Sequence, residues 1–154
     1  MVGLIAALYF SPIGEIKSVS VQPTLTPSPI PLPSPHIFTQ EKLWEVVNDW
    51  RVSQGKPAYK ENPWLCSIAE KRMVEIQKDW SHDGIQRRWN KDMGGFVWMG
   101  ENLGKEYLSE ERMLISWLAS PTHRKNLDQN FTHSCIRCQM AGVFPYCVQL
   151  FGRY

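Results

Sequence analysis

From residue 39 onward the hydrophobic positions fall into helix-spaced sets separated by short turn signals. Leu43, Val46, Val47 and Trp50 sit at i, i+3, i+4 and i+7 behind Thr39, which predicts a capped helix with one buried stripe. Gln54-Gly55-Lys56-Pro57 stops it, a glycine followed by a proline. Asn62-Pro63 then offers a cap and a first-turn proline. The second helix it predicts runs to about Lys78, with Leu65, Ile68, Ala69, Arg72, Met73 and Ile76 on one face. Asp83-Gly84 and Met93-Gly94-Gly95 read as turns, and Gly95 to Leu103 as a loop feeding a short strand. Ser109 caps a third helix that buries Met113, Leu114, Trp117 and Leu118. Ser120-Pro121 restarts the chain as a short helix carrying His123 in its first turn. The run YCVQLF at 146–151 predicts a final strand. Helices before a terminal strand, with few strand signals between, imply an α+β fold in which helices cover a small antiparallel sheet.

Residues 1–36 have a different pattern. The stretch MVGLIAALYFSPI at 1–13 is apolar and uncharged, shorter than the roughly 20 residues needed to span a bilayer. It reads as an export signal or the remnant of a membrane anchor, although the positive start and small-residue cleavage site of a signal peptide are missing. Seven of the eleven prolines fall between Pro12 and Pro35, so residues 14–36 predict an extended spacer. The expected order is an apolar start at 1–13, a proline-rich linker at 14–36 and a globular domain at 37–154. Such a chain is exported and held at the cell surface, with membrane association through its N-terminus. Seventeen basic against fifteen acidic residues, with no basic run beyond adjacent pairs such as Arg87-Arg88, exclude a nucleic-acid partner.

Cys66, Cys135, Cys138 and Cys147 all lie in the globular part. Behind an export signal they favour two disulfides, for which spacing leaves three connectivities open. Cys135-Ile-Arg-Cys138 with His133 nearby also fits a zinc knot or a redox element. Among the histidines, His36 belongs to the linker and is set aside. His82 beside Trp80, taken alone, reads as a packed ring, and Glu101 in MGENL as a solvated acid.

Together these residues carry a resemblance. VVNDWRVSQGKPAY (46–59), LCSIAEKR (65–72), WSHDGI (80–85), GENL (100–103) and WLASPTHRKNL (117–127) occur in the order found in the CAP superfamily, also called the SCP domain. From Phe38 to Tyr154 the chain is similar to the short bacterial members of that cysteine-rich secretory, antigen 5 and pathogenesis-related group. The resemblance implies a three-layer α-β-α sandwich whose cleft holds two histidines and two acids. His82, Glu101 and His123 occupy three of those positions. At the fourth the family's acid is replaced by Arg112, and Glu111, about 100° round the helix, is the nearest substitute. Glu110 and Glu111 also have a purely structural role available, complementing a helix dipole.

The resemblance further implies a divalent cation, described as zinc, held by His82 and His123, with modest affinity that falls as the rings protonate. It leaves two classes of function. The first is a non-enzymatic exported domain binding a small molecule, a lipid or a cell-surface protein. The second is a metal-assisted hydrolase of peptidase type using the same residues. The sequence has no HExxH helix and no serine in a nucleophile elbow, which favours the first.

Overall fold

The computed structural model describes residues 36–154. The apolar segment 1–13 and all but the last residue of the linker 14–36 lie outside the described residues. Helix α1 is Gln40–Ser53, capped by Thr39, whose side chain accepts from the Lys42 amide. The two-residue strand β1, Lys60–Glu61, leads to α2, Pro63–Ile76. The Asn62 side chain caps α2 by accepting from Trp64 and Leu65 N–H, and Pro63 sits where no donor is needed. Helix α3 is Asp83–Trp89, and β2 is Trp98–Lys105. Helix α4, Glu110–Ala119, is capped by Ser109, and α5 is Pro121–Asp128. Strands β3, His133–Ala141, and β4, Phe144–Arg153, complete the chain.

The strands order as β1-β3-β4-β2. The β3–β4 and β4–β2 pairs are antiparallel, and β1 adds a short parallel rung on β3. Helices α2 and α3 cover one face, and α1, α4 and α5 the other, giving three layers and an α+β fold. Central strand β4 is buried on both faces, which is why it reads as an apolar run broken only by Gln149, itself fully buried. Val148 and Leu150 enter the core under α2 with Leu65, Ile68 and Ile85. Cys147 and Phe151 enter the opposite core with Leu43, Val47, Met113 and Trp117.

Two expectations change here. Asp83-Gly84 is not a turn but the start of α3. Gly84 is required there, because a Cβ would lie 2.0 Å from Arg72 Nη1, so the helix settles directly on that side chain. The nine-residue β3 was not anticipated. Arg137 and Gln139 interrupt its apolar pattern, and it ends in an exposed hairpin turned at Gly142 (φ +65°).

His36 also has a partner. Its Nε2 lies 2.5 Å from Glu110 Oε2, while Glu110 Oε1 accepts the Thr39 N–H at 2.7 Å. Glu110 is fully buried, so this carboxylate fastens the entrance of α1 to the start of α4.

All four cysteines are paired, as Cys66–Cys135 and Cys138–Cys147. The first joins α2 to β3. The second joins residues directly opposite each other on β3 and β4. The zinc-knot and redox readings of Cys135-Ile-Arg-Cys138 fail for this reason, since neither sulfur is a thiolate.

Candidate functional site

Successive residues of a strand point to opposite faces, and β2 uses this at Glu101 and Asn102. Glu101 projects towards α2, where Arg72 Nε donates to its Oε2 at 2.8 Å and Nη2 to its Oε1 at 3.2 Å. Asn102 projects the other way, and its Nδ2 donates to the His123 carbonyl at 3.2 Å. Asn126 on α5 donates to Glu101 O at 3.0 Å and to Asn102 Oδ1 at 2.9 Å. A Cβ on residue 100 would stand 2.9 Å from Asn126 Oδ1, so Gly100 is what lets α5 come this close to the strand.

Arg72 is buried and shares its remaining donors between Glu75 Oε2 at 2.7 Å and the Ser81 carbonyl at 2.6 Å. Burial alone would pull its guanidinium down, but the hydrogen bonds and charges of Glu101 and Glu75 carry it above its ordinary value. Glu75 also pairs with Arg88 on α3. Arg72 therefore orients Glu101 and holds the segment that delivers the next residue, His82.

His82 is the residue from which α3 departs, and it makes no capping hydrogen bond. Its Nδ1 lies 2.7 Å from Glu101 Oε1. Because that oxygen belongs to a carboxylate already receiving Arg72, Nδ1 is the donor of this hydrogen bond, and in the neutral ring the lone pair is then on Nε2. The ring is half exposed, at 54 %, whereas the Glu101 side chain is only 1 % exposed. Neither residue matches its reading in isolation: the histidine is not packed away, and the acid is not solvated.

His123 comes from the other helical layer. Ser120 precedes α5 without a side-chain cap, its Oγ lying 3.2 Å from Thr122 Oγ1 instead. Pro121 starts the helix and places His123 at its third residue. The His82 and His123 rings meet edge to face, centroids 6.3 Å apart and planes 60° apart. They come from opposite layers and approach each other at β2, an edge strand of the sheet. Burial, and then the neighbouring His82, hold the His123 imidazole below its ordinary value of 6.5. It is thus neutral at pH 7, with its lone pair available.

Glu111 sits apart from this group in the first turn of α4, exposed to solvent. Its charge is felt by Lys42 on α1. Among the described residues no hydrogen bond or ion pair links it to His82, Glu101 or His123. Arg112 is likewise exposed, and its backbone N–H completes the Ser109 cap at 3.3 Å. Three residues that orient the site were not singled out from the sequence: Arg72, Asn102 and Asn126. For Arg72 the signal was present, as an arginine on the apolar face of α2.

Among the described residues, Glu61, Cys66 and Cys135 form the one group of three or more whose ligand atoms lie within 4.8 Å of one another. Two of these sulfurs share a disulfide and carry no thiolate charge, so the group is no metal centre. In the histidine site Glu101 is committed to Arg72 and His82 and acts behind the imidazole rather than as a ligand. Two ring nitrogens remain. Both belong to imidazoles, a ligand type that zinc accepts at about 2.0–2.1 Å per bond, so the pair would supply two of the ion's four positions.

Comparison with known proteins bears on the fold. The profile described as "CAP: Cysteine-rich secretory protein family" matches residues 44–151. No curated protein sequence matches the chain. Among solved structures, an outer surface protein from Borrelia burgdorferi superposes with a TM-score of 0.63 at 19 % identity, covering 73 % of this chain and 90 % of that one. A cysteine-rich secretory protein from Staphylococcus aureus gives 0.60 at 20 % identity, covering 73 % of this chain and 38 % of that one. An extracellular protein containing a SCP domain, from Bacillus anthracis, gives 0.58 at 22 % identity, with 74 % and 40 % covered. The chain thus spans about two fifths of the latter two proteins. With the profile running from α1 almost to the end of β4 on the architecture described above, the chain belongs to the cysteine-rich secretory protein family.

Proposed function

We propose that this chain is an exported, non-enzymatic binding domain whose working group is His82, Glu101 and His123. One observation carries the reading: buried Glu101 is fixed by Arg72 and in turn fixes the Nδ1 side of a half-exposed His82, whose ring centre stands 6.3 Å from that of His123. A carboxylate behind an imidazole raises its basicity and locks its orientation, which suits a ring that receives a cation. His82 and His123 would hold a divalent ion, zinc by the chemistry of the donors, which would supply a positive point for an acidic or carbonyl-bearing ligand. Two protein ligands make the site weak, both in holding a cation and as a Lewis acid.

Two further observations support export. Every cysteine is in a disulfide, the state expected outside a reducing compartment. The similar solved structures are described as outer-surface and extracellular proteins.

The test is calorimetric titration of zinc into the oxidised chain at pH 7.5 and 5.5. Binding is expected at the higher pH, to weaken at the lower, and to fall at least ten-fold in His82→Ala and His123→Ala. Arg72→Lys should also weaken it by disturbing Glu101. Zinc binding unchanged in both histidine variants would overturn the reading.

A further inference from the structure

A hollow lies at the edge of the sheet opposite the histidine group, beside β1. It has a volume of about 570 Å³, within the roughly 300–1,000 Å³ common for small-molecule sites. Its walls come from the end of α1, the α1–β1 loop, β1 and the start of β3. Arg51, Lys56, Lys60 and His133 line it together with Pro57 and Phe131, and no acidic residue does. Lys60 and His133 are partners across the β1–β3 rung, so they stand side by side.

Among the described residues, none of the arginine and lysine cations here forms an ion pair. Arg51 is 2 % exposed, yet it forms no ion pair. Its donors go to the carbonyls of Pro57, Leu127, Gln129 and Phe131 and to the Tyr59 hydroxyl. Lys56 donates to the Asp128 carbonyl, and the Asp128 carboxylate is paired instead with Arg124. Lys60 forms no ion pair. Glu61, its neighbour on β1, points the other way and pairs with Arg137. A concave surface lined by one sign of charge over a low-dielectric wall focuses potential and attracts the opposite sign. Pro57 and Ala58, both exposed, add an apolar wall that a simple inorganic ion would leave unused.

We propose that this hollow binds a small organic anion, its acid group held by Lys56 and Lys60 and its apolar body laid against Pro57 and Ala58. The site is independent of the histidine group, since the two lie at opposite edges of the sheet. The rival account is that lysine on a short edge strand merely discourages sheet extension.

The experiment is a ¹H–¹⁵N titration of the oxidised full chain, with chelator present to silence any metal at the histidine pair. Three probes are used: 2-naphthoate, its neutral isostere 2-naphthamide, and inorganic phosphate. Saturable shifts are expected at Lys60, Thr132 and His133 with naphthoate, at an affinity at least five-fold above either control. Lys56→Gln/Lys60→Gln should weaken naphthoate at least ten-fold, and Lys60→Gln alone several-fold if the double variant folds poorly. Lys105→Gln, a cation on β2, should change nothing. The proposal is overturned if naphthoate gives no saturable shifts, if naphthamide or phosphate binds equally well, or if the lysine substitutions leave the affinity intact.

Discussion

Each helical layer buries one arginine, and the two are satisfied in opposite ways. Arg72, in the α2–α3 layer, faces two carboxylates, Glu101 and Glu75. Arg51, in the α1–α4–α5 layer, faces four carbonyls and a phenol, with its guanidinium 3.9 Å from the centre of the Tyr59 ring. One of those carbonyls, Leu127 O, lies in the last turn of α5, where aligned peptide dipoles leave a partial negative charge. Both arrangements lock a corner of the fold, but they leave different residues behind. Arg72 spends its charge on Glu101, which is then free to orient His82. Arg51 spends its donors and keeps its net charge, which adds to the field of the hollow beside it. Whether a buried arginine serves a site or a scaffold is decided by its acceptors, not by its burial.

The largest expected effect comes from removing Arg72. Arg72→Met strands the buried Glu101 carboxylate and should cost about 3–5 kcal/mol in chemical denaturation, with much of it recovered in Arg72→Met/Glu101→Leu. A double variant no more stable than the single one would mean that the loss comes from packing rather than charge. Next, the two disulfides should separate by loop length. Cys66→Ala/Cys135→Ala, opening a separation of 69 residues, should cost about 4 kcal/mol, and Cys138→Ala/Cys147→Ala, opening one of 9, about 3 kcal/mol. Thermal melts of the two variants measure the difference. Arg51→Met leaves carbonyls that water can reach in part, so a smaller loss of about 1–3 kcal/mol is expected. A loss equal to that of Arg72→Met would erase the distinction drawn between the two.

The smallest effect is on pH dependence. Burial and His82 hold His123 below 6.5, and burial and Lys60 do the same for His133. The unfolded chain therefore takes up these protons first. Stability from the two neutral rings is complete above about pH 6.5 and declines as pH falls from there through their folded-state values. His133→Gln and His123→Gln should each flatten the fall in denaturation midpoint between pH 7 and 5. An unchanged slope in both would show that neither ring titrates lower in the folded state.

Much of the helical layering was legible because its signals are local. Thr39, Asn62 and Ser109 cap helices that begin where those residues predict, since a cap acts within its own first turn. The run 146–151 announced β4, because a strand buried on both faces is mostly apolar, and the run's one polar residue, Gln149, is accommodated by donating to the Ser134 hydroxyl. Strand β3 and helix α3 were harder. The first hides its pattern behind Arg137 and Gln139, and the second opens with Asp-Gly, a dipeptide that makes turns more often than helices. Within the site, motif order brought out His82, Glu101 and His123. It could not say that Glu101 is buried, because a glutamate between glycine and asparagine carries no mark of what will cover it.

By itself, then, the sequence determined the helix starts and stops, the final strand and the family, all of which depend on residues near one another along the chain. Tertiary structure alone decided which cysteines join, that Arg72 stands behind Glu101, and that His36 reaches Glu110. It also decided that the lysines beyond β1 share a hollow with no acid in it. The physical reason is the same in each case: charge compensation and cross-linking are settled between residues distant in sequence, and only the packed layers fix which of them meet.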